Sequence, residues 1–356
     1  MKEVNPYAAL QLAAAETTRD RLLEDSLLRH LALATALVIS TLPLAHSQSP
    51  TLPIKLRVAY LKSLSFSPLF LAKEKGYLAA EGIDVDLQIV QSSSEVVAFM
   101  ARGQMDAAFG NIGVPLFNAA ARDMEVKIVA GVSYYPKDAA ALSPCPIIIR
   151  KELAESGRVK SVADLKGRKI AFNVRGGVIE YLAAESLKRS GLSLRDVEIV
   201  EMPFPDMALA LANGAVDAAL IPEPGASAVR EKGIGVVLDV NPAPGTLATV
   251  LSFGSTLLSP MGARNGEAFL RGLRRAAADL QRPEDVLSQQ HLEVWAKSTE
   301  IPATLIAKTA PYAFDKDLAI DVADLAKQQE YALTTGQITT APAFDKLIDR
   351  RLAVTR

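Results

Sequence analysis

From about residue 56 onward, short unbroken apolar runs alternate with stretches in which apolar residues recur every three or four positions. The runs Leu56–Leu61, Val85–Val90, Ala107–Phe109 and Lys127–Val132 read as buried strands. Between them, the stretches after Pro68, after Ser92 and over 116–122 read as helices. The alternation resumes with Ile147–Arg150, Lys169–Asn173, a helix Val178–Ser190, then Val197–Val200 and Gly235–Leu238, and closes on a return strand, Thr249–Leu258. Beyond Arg264 the pattern is helical. Phe269, Leu273, Ala276, Ala277 and Leu280 keep a 3.6-residue period, and further helices fit 283–297, 302–309, 317–334 and 341–352. Strands that alternate with helices in this way predict an α/β fold with mainly parallel sheets.

One unit of the pattern occurs twice. The stretch from Glu95 to Asp106-Ala-Ala-Phe109 matches that from Asp206 to Asp217-Ala-Ala-Leu220 at an offset of 111. In each copy an acid opens a helix, a glycine (Gly103, Gly214) ends it, and Asp-Ala-Ala starts a strand three residues later. Arg57-Val-Ala-Tyr pairs with Lys169-Ile-Ala-Phe at 112, and Gly82-Ile with Gly191-Leu at 109. The repeat predicts two lobes of similar plan with a ligand cleft between them. The first lobe takes residues 48–150 and 250–356, the second 151–249, so the chain crosses twice between them and forms a hinge.

Residues 1–47 stand apart as an N-terminal extension and signal peptide. Arg29 and His30 precede a mostly apolar run, Leu31–Leu44, too short to span a bilayer, and Ala45-His46-Ser47 is a small-x-small cleavage pattern. The polar, acidic lead before Leu28 does not suit a signal and points to initiation near Leu22–Leu28. Without residues 1–47, which carry four basic and five acidic side chains, the chain holds 35 of each sign. That balance gives no footprint for nucleic acid or for an anionic membrane surface. The single cysteine, Cys145, leaves no disulfide, Cys-based zinc site or cluster to build. With two of the three histidines in or beside the signal, and no G-x-S-x-G, H-E-x-x-H or Walker loop, no catalytic constellation and no cofactor or metal site is expected.

Ligands in open α/β lobes sit outside the carboxyl ends of the strands. Val174-Arg175-Gly176-Gly177-Val178 opens a helix with a glycine pair, which predicts bare backbone N–H groups at a positive dipole end, with Arg175 as a possible two-toothed clamp on an anion. Ser65 and Phe66 follow the first strand, and Ser67 before Pro68 suits a helix cap. Ser92 reads as a cap, whereas Ser93 is a ligand candidate. Asn111 offers donor and acceptor together at a strand end. Asp206 either meets ligand or caps the repeated helix. Glu223, held between two prolines, either meets an amine or ring N–H or accepts a hydrogen bond in the hinge. Tyr134 and its neighbour Tyr135 either stack on the ligand or pack.

The run from Leu56 to Leu258 resembles the type II periplasmic solute-binding proteins of ABC importers, in the branch that binds nitrate, alkanesulfonates, taurine and thiamine-pyrimidine precursors. The resemblance rests on Pro68-Leu-Phe-Leu-Ala-Lys-Glu-Lys-Gly-Tyr-Leu78, Gly103-Gln-Met-Asp-Ala-Ala-Phe-Gly110, Val162-Ala-Asp-Leu-Lys-Gly-Arg-Lys-Ile-Ala171, Gly214-Ala-Val-Asp-Ala-Ala-Leu220 and Pro222-Glu-Pro224. It implies a two-lobed fold with a helical C-terminal extension, acting as a monomeric periplasmic receptor that takes a small organic anion or nitrogenous compound to permease and ATPase subunits. Eukaryotic relatives that synthesise the pyrimidine use a cysteine-rich motif absent here. The alternatives are a cofactor-biosynthesis enzyme on the same fold and a ligand-sensing partner of a membrane receptor. Expressed from about Leu23 with an added Met in a Gram-negative host, the protein is expected to be cleaved near Ser47 and recovered from the periplasm. N-terminal sequencing checks this, and an intact, cytosolic chain would overturn it.

Overall fold

A computed structural model describes residues 52–90 and 93–356, with the side chains of Ser93 and Ser94 left aside. The signal segment and the Ser92 cap lie outside these residues. The molecule is built on two five-stranded sheets. The first contains β1 (Ile54–Tyr60), β2 (Ile83–Ile89), β3 (Ala107–Asn111), β4 (Val126–Tyr134) and β10 (Leu247–Gly254), in the order β2-β1-β3-β10-β4. The second contains β5 (Ile147–Arg150), β6 (Lys169–Phe172), β7 (Glu198–Glu201), β8 (Ala218–Leu220) and β9 (Gly235–Asp239), in the order β7-β6-β8-β5-β9. Both orders are the same plan. β1 pairs in parallel with both β2 and β3, and β6 with both β7 and β8, and each sheet receives one antiparallel strand, β10 between β3 and β4 and β5 between β8 and β9.

The unbroken apolar runs follow from burial on both faces. In β1, Leu56, Val58 and Tyr60 enter one core and Ala59 the opposite one. In the second sheet Ile147, Ile149, Ile170 and Phe172 face one core, and Ile148 and Ala171 the other. The C-terminal extension covers both faces of the first sheet. Helix Ala263–Ala278 brings Phe269, Leu273, Ala276 and Ala277 to the first core, as its period predicts. Trp295 packs there too, its indole N–H donating to Val286 O at 2.7 Å. Leu325, Ala332, Ile338 and Leu347 cover the other face.

Several boundaries differ from the sequence reading. Ile147–Arg150, assigned above to the first lobe, is a strand of the second sheet, and Leu247–Thr249, assigned to the second, begins β10 of the first. The return strand stops at Gly254 because Ser255–Leu258 coils into a helical turn. The helix expected over 283–297 breaks into Pro283–Val286 and Gln289–Thr299, since Ser288 is extended. The one expected from 317 starts at Val322: Leu318 is left-handed, with φ 55°, and Asp321 caps the helix by accepting the Asp324 N–H. Of 341–352 only Phe344–Leu347 is helical, and Ile348 bridges to Ile128 at a sheet edge.

The repeated aspartate has a structural explanation. Asp106 N–H donates to Arg57 O at 3.0 Å, and its carboxylate accepts from Arg57 N at 2.9 Å and from the same residue's guanidinium at 2.7 and 3.0 Å. In the second lobe Asp217 N–H donates to Lys169 O at 2.9 Å, and its carboxylate accepts from Lys169 N at 3.1 Å. Here the guanidinium comes from Arg150, at 3.1 and 3.3 Å. Each Asp thus fastens the start of its strand to the parallel strand beside it, β1 or β6.

Away from the crossings, the lobes meet backbone to backbone. Val114 N–H donates to Gly176 O at 3.0 Å, and a Cβ on Gly113 would lie 2.5 Å from that oxygen. Beside this contact the buried Glu180 Oε2 accepts from Gly176 N–H at 2.5 Å and from Gln337 Nε2 at 3.0 Å, and Tyr181 meets Tyr331 edge-on at 5.5 Å. Glu180 and Tyr181 belong to the second lobe, and Gln337 and Tyr331 to the C-terminal extension.

Two outcomes follow from these contacts. Burial alone would raise the Asp106 pKa, but the bonds and charge of Arg57 outweigh it and hold the carboxyl below its usual range. That contribution is fully present above the unfolded value of about 3.9 and is lost as pH falls through the folded value. Asp106→Asn is therefore expected to lower the unfolding free energy by about 1.5–3 kcal/mol at neutral pH, with the difference from wild type shrinking in acid. Urea melts at neutral and acid pH check it. Glu180→Ala removes the carboxylate shared between the lobes and is expected to enlarge the radius of gyration in small-angle scattering without ligand. An unchanged radius would show that Glu180 does not hold the lobes together.

Candidate functional site

The carboxyl ends of the parallel strands from both sheets face one another across a cleft of about 1240 Å³. Its walls are the segments that follow β1, β2 and β3 on one side and β6, β7 and β8 on the other, with the crossings between lobes behind. Parallel strands place their loops at one end of a sheet, so two sheets of the same plan converge on one site.

In the first lobe, Ser65 and Phe66 line the cleft. Ser63 caps the turn Leu64–Phe66 by accepting the Ser65 N–H, and its hydroxyl lies 2.9 Å from that of Ser65. Ser67 is not the cap expected of it; it lies inside the helix Ser67–Glu74 and donates its hydroxyl to Leu64 O at 2.7 Å. Asn111, the last residue of β3, lines the cleft. Ser93 is the first residue of the helix Ser93–Ala101, and its side chain lies outside the described part. Of the two tyrosines, Tyr134 turns away: its hydroxyl donates to Ala319 O and accepts the Asp321 N–H at 3.1 Å. Tyr135 lines the cleft against Tyr312, ring centroids 5.7 Å apart. Burial pushes both phenols upward, so they remain hydrogen-bond donors at neutral pH.

The glycine loop of the second lobe departs from its expected role. Two of its amides are engaged, Arg175 N–H by Glu201 and Gly176 N–H by Glu180, and Gly176 O accepts from Val114 N–H in the close backbone contact with Gly113–Val114. Arg175 is half-exposed and committed to acids, with its N–H and Nε each 3.2 Å from Glu201 and Nη1 4.0 Å from Glu180. Arg175, Gly176 and Gly177 border a smaller cavity rather than the cleft, whereas Val178, at the helix start, lines the cleft. Asp206 is exposed in the first turn of Phe204–Ala212, away from the cleft wall; Pro203 occupies the cap position, so the helix opens two residues earlier than its acid.

Glu223 sits at the back of the cleft with both oxygens occupied. It accepts from Ser227 N–H and Oγ at 2.9 and 3.0 Å, from Ala310 N–H at 3.3 Å and from Arg230 at 3.3 Å. Burial pushes its carboxyl upward, and these donors offset only part of that. The geometry is that of a hinge acceptor joining the 222–230 segment to residue 310. Cys145 lies buried beside it, its thiol pushed up by burial and then by the Glu223 charge.

Among the lining residues the sequence reading did not single out, four stand out by their polar groups. Asn173 follows β6 much as Asn111 ends β3, and its Oδ1 is buried with no hydrogen-bond partner. The shared strand-end asparagine was the signal for it. Thr249 of β10 is bound to Ser133 Oγ at 2.6 Å, and its position became visible only with the register of the return strand. Tyr312 comes from an irregular stretch of the C-terminal extension, where periodicity carries nothing. Lys62, the cation among the described residues of the cleft wall, pairs with Glu300 at 2.6 Å. The cleft therefore offers hydroxyls, amides and aromatic faces, and its charged lining groups, Lys62, Glu201 and Glu223, are each already paired.

Residues 63–249 match the family model described as NMT1/THI5 like. Over 283 residues the chain is 28% identical to a protein of Escherichia coli (strain K12) named for binding aliphatic sulfonates, covering 78% of this chain and 81% of that one. Among solved structures, the periplasmic aliphatic sulphonate binding protein SsuA from Escherichia coli superposes with a TM-score of 0.65 at 22% identity, over 84% of this chain and 92% of that one. The desulfurization enzyme DSZB shares the fold at 18% identity with a TM-score of 0.57, over 83% and 97%. The architecture is thus the two-lobed periplasmic binding protein fold, and with more than half of its length matched by the family model, the chain belongs to the NMT1/THI5-like family.

Proposed function

We propose that this protein is the periplasmic receptor of an ABC importer and closes its two lobes over a small organic anion of the sulfonate type, or a nitrogenous compound of similar size, for delivery to permease and ATPase subunits. The observation that carries the reading is the cleft itself, formed by strand ends of two sheets of the same plan and lined by hydrogen-bonding groups from both. The signal pattern before Ser47 supports export, and no helix among the described residues is long and apolar enough to cross a membrane.

In this reading Ser65, Asn111 and Thr249 of the first lobe and Asn173 of the second hold the polar head, with Tyr135 and Tyr312 behind it and Phe66 against its apolar part. Neutral donors suit a weakly basic anion, since hydrogen bonds to a charged group are about twice as strong as those between neutral groups. Water leaves as the lobes close, and each contact then strengthens in the lower dielectric. The fold also hosts an enzyme, but nucleophilic sulfur chemistry needs an accessible thiolate. Cys145 is buried in the hinge as a neutral thiol, which favours the binding reading.

Calorimetry with alkanesulfonates, taurine and nitrate tests the proposal, and a protein that binds none of them would sink this ligand class. With the tightest member, Asn173→Ala is expected to weaken binding by about 1.5–3 kcal/mol, the range for hydrogen bonds to a charged group. Arg175→Ala, already paired with two acids, is expected to stay within about twofold. Small-angle scattering should show a smaller radius with ligand, because each lobe holds only part of the contacts.

A further inference from the structure

Beside the cleft, between helix Ser93–Ala101 and β3 of the first lobe and the 173–177 loop of the second, lies a second cavity of about 230 Å³. Helix Ser93–Ala101 covers it with Val96, Val97 and Met100, and Ala108 of β3, Leu116 and Val250 close it from below. Apart from Val97 these side chains are buried. Protein interiors hold few voids larger than a water molecule, and an apolar cavity of about 150 Å³ stays dry and accepts benzene. This one is larger and apolar over most of its wall, and it adjoins the cleft: Leu61, Asn111 and Asn173 line both. At that boundary stands Asn173, whose Oδ1 has no hydrogen-bond partner and whose amide N–H groups are the side that can donate to an anionic head, and at the outer rim Val174 is 49% exposed.

We infer that this chamber is a subsite for the apolar tail of the cleft's ligand: the polar head stays in the cleft at the two asparagines, and an unbranched or aromatic hydrocarbon group of roughly six to nine carbons, scaled from the benzene-sized cavity, passes between them into the chamber. The ligand class is therefore an amphiphile with a compact polar head, rather than an inorganic anion or a fully polar zwitterion. The inference rests on the binding reading for the head and on the cavity for the tail, and the two separate experimentally.

The mature chain is titrated by calorimetry with straight-chain 1-alkanesulfonates from methyl to decyl, and each affinity is read as a ratio to methanesulfonate on the same protein. The expected result is a rise of roughly fourfold per methylene, the fold-change for about 0.8 kcal/mol per buried CH₂, levelling between hexyl and nonyl. Ala108→Leu fills the inner end of the chamber. Val97→Phe plugs its half-buried rim without overpacking the interior. Both are expected to flatten the series. A flat series on wild type, or a rise that survives in both variants, would overturn the chamber while leaving the receptor reading in place. If no sulfonate of any length binds, the ligand class proposed for the cleft fails, and benzene decides the chamber: uptake by wild type that Val97→Phe abolishes upholds it, and no uptake by wild type overturns it.

Discussion

Each sheet is completed by a strand that arrives from the other side of the molecule. β5 enters between β8 and β9 after the first crossing, and β10 enters between β3 and β4 after the second, both antiparallel to their neighbours. Neither insertion is peripheral, since all four residues of β5 but Arg150, and all eight of β10, are buried. The chain must therefore cross twice. The crossings are also tied to each other, by Tyr135 N–H to Thr246 O at 2.9 Å, Gly245 N–H to Pro136 O at 3.0 Å, and the Asn241 amide to Pro136 O and Asp138 O at 2.8 and 3.0 Å. A paired double crossing permits rotation about itself and resists separation, which is the mechanical requirement of a clamp.

Around this constraint the rest of the molecule falls into place. The carboxyl strand ends face each other, so the cleft exists before any side chain specifies a ligand. The C-terminal extension adds a third strap, since Ala310 N–H and Lys308 O bind Glu223 and Ser227 of the second lobe while Ala313 pairs with Tyr134 of the first. Glu223 belongs to this strap. Between its two prolines it holds three segments together: its own, residue 310 through its carboxylate, and Pro144 O through its N–H at 2.8 Å.

Much of the fold was legible because burial writes itself into periodicity. The apolar runs of the sheets and the stripe on Ala263–Ala278 were readable for that reason, and so was the repeat, whose aspartates fasten equivalent strands. The repeat also concealed a difference: the guanidinium on Asp106 comes from its neighbouring strand, that on Asp217 from the inserted one. The site was less legible. Arg175 and its glycines carry the composition of an anion loop, but their partners Glu201, Glu180 and Val114 are 26, 5 and 62 positions away or on the other lobe, and composition cannot show that a group is already engaged. Tyr134 and Tyr135 differ by one step of a pleat, which reverses the face each presents. Boundaries moved where a single residue decided them, as Leu318 and Gly254 did.

The unequal division of the chain between the lobes imposes an order on folding. The second sheet draws its five strands from the contiguous span 147–239, whereas the first waits for β10, which begins more than 110 residues after β4 ends. Loop-closure entropy rises only slowly with length, so contiguity rather than loop length separates the lobes: the second sheet is complete within its own span, and the first holds a gap between β3 and β4 until the chain returns. Through that interval the backbone groups of β3 and β4 that will pair with β10 remain unsatisfied edges, the kind that invite pairing with another chain. The first lobe is thus the one most exposed to misassembly, and the crossings that make the molecule a clamp are also the step on which its completion depends.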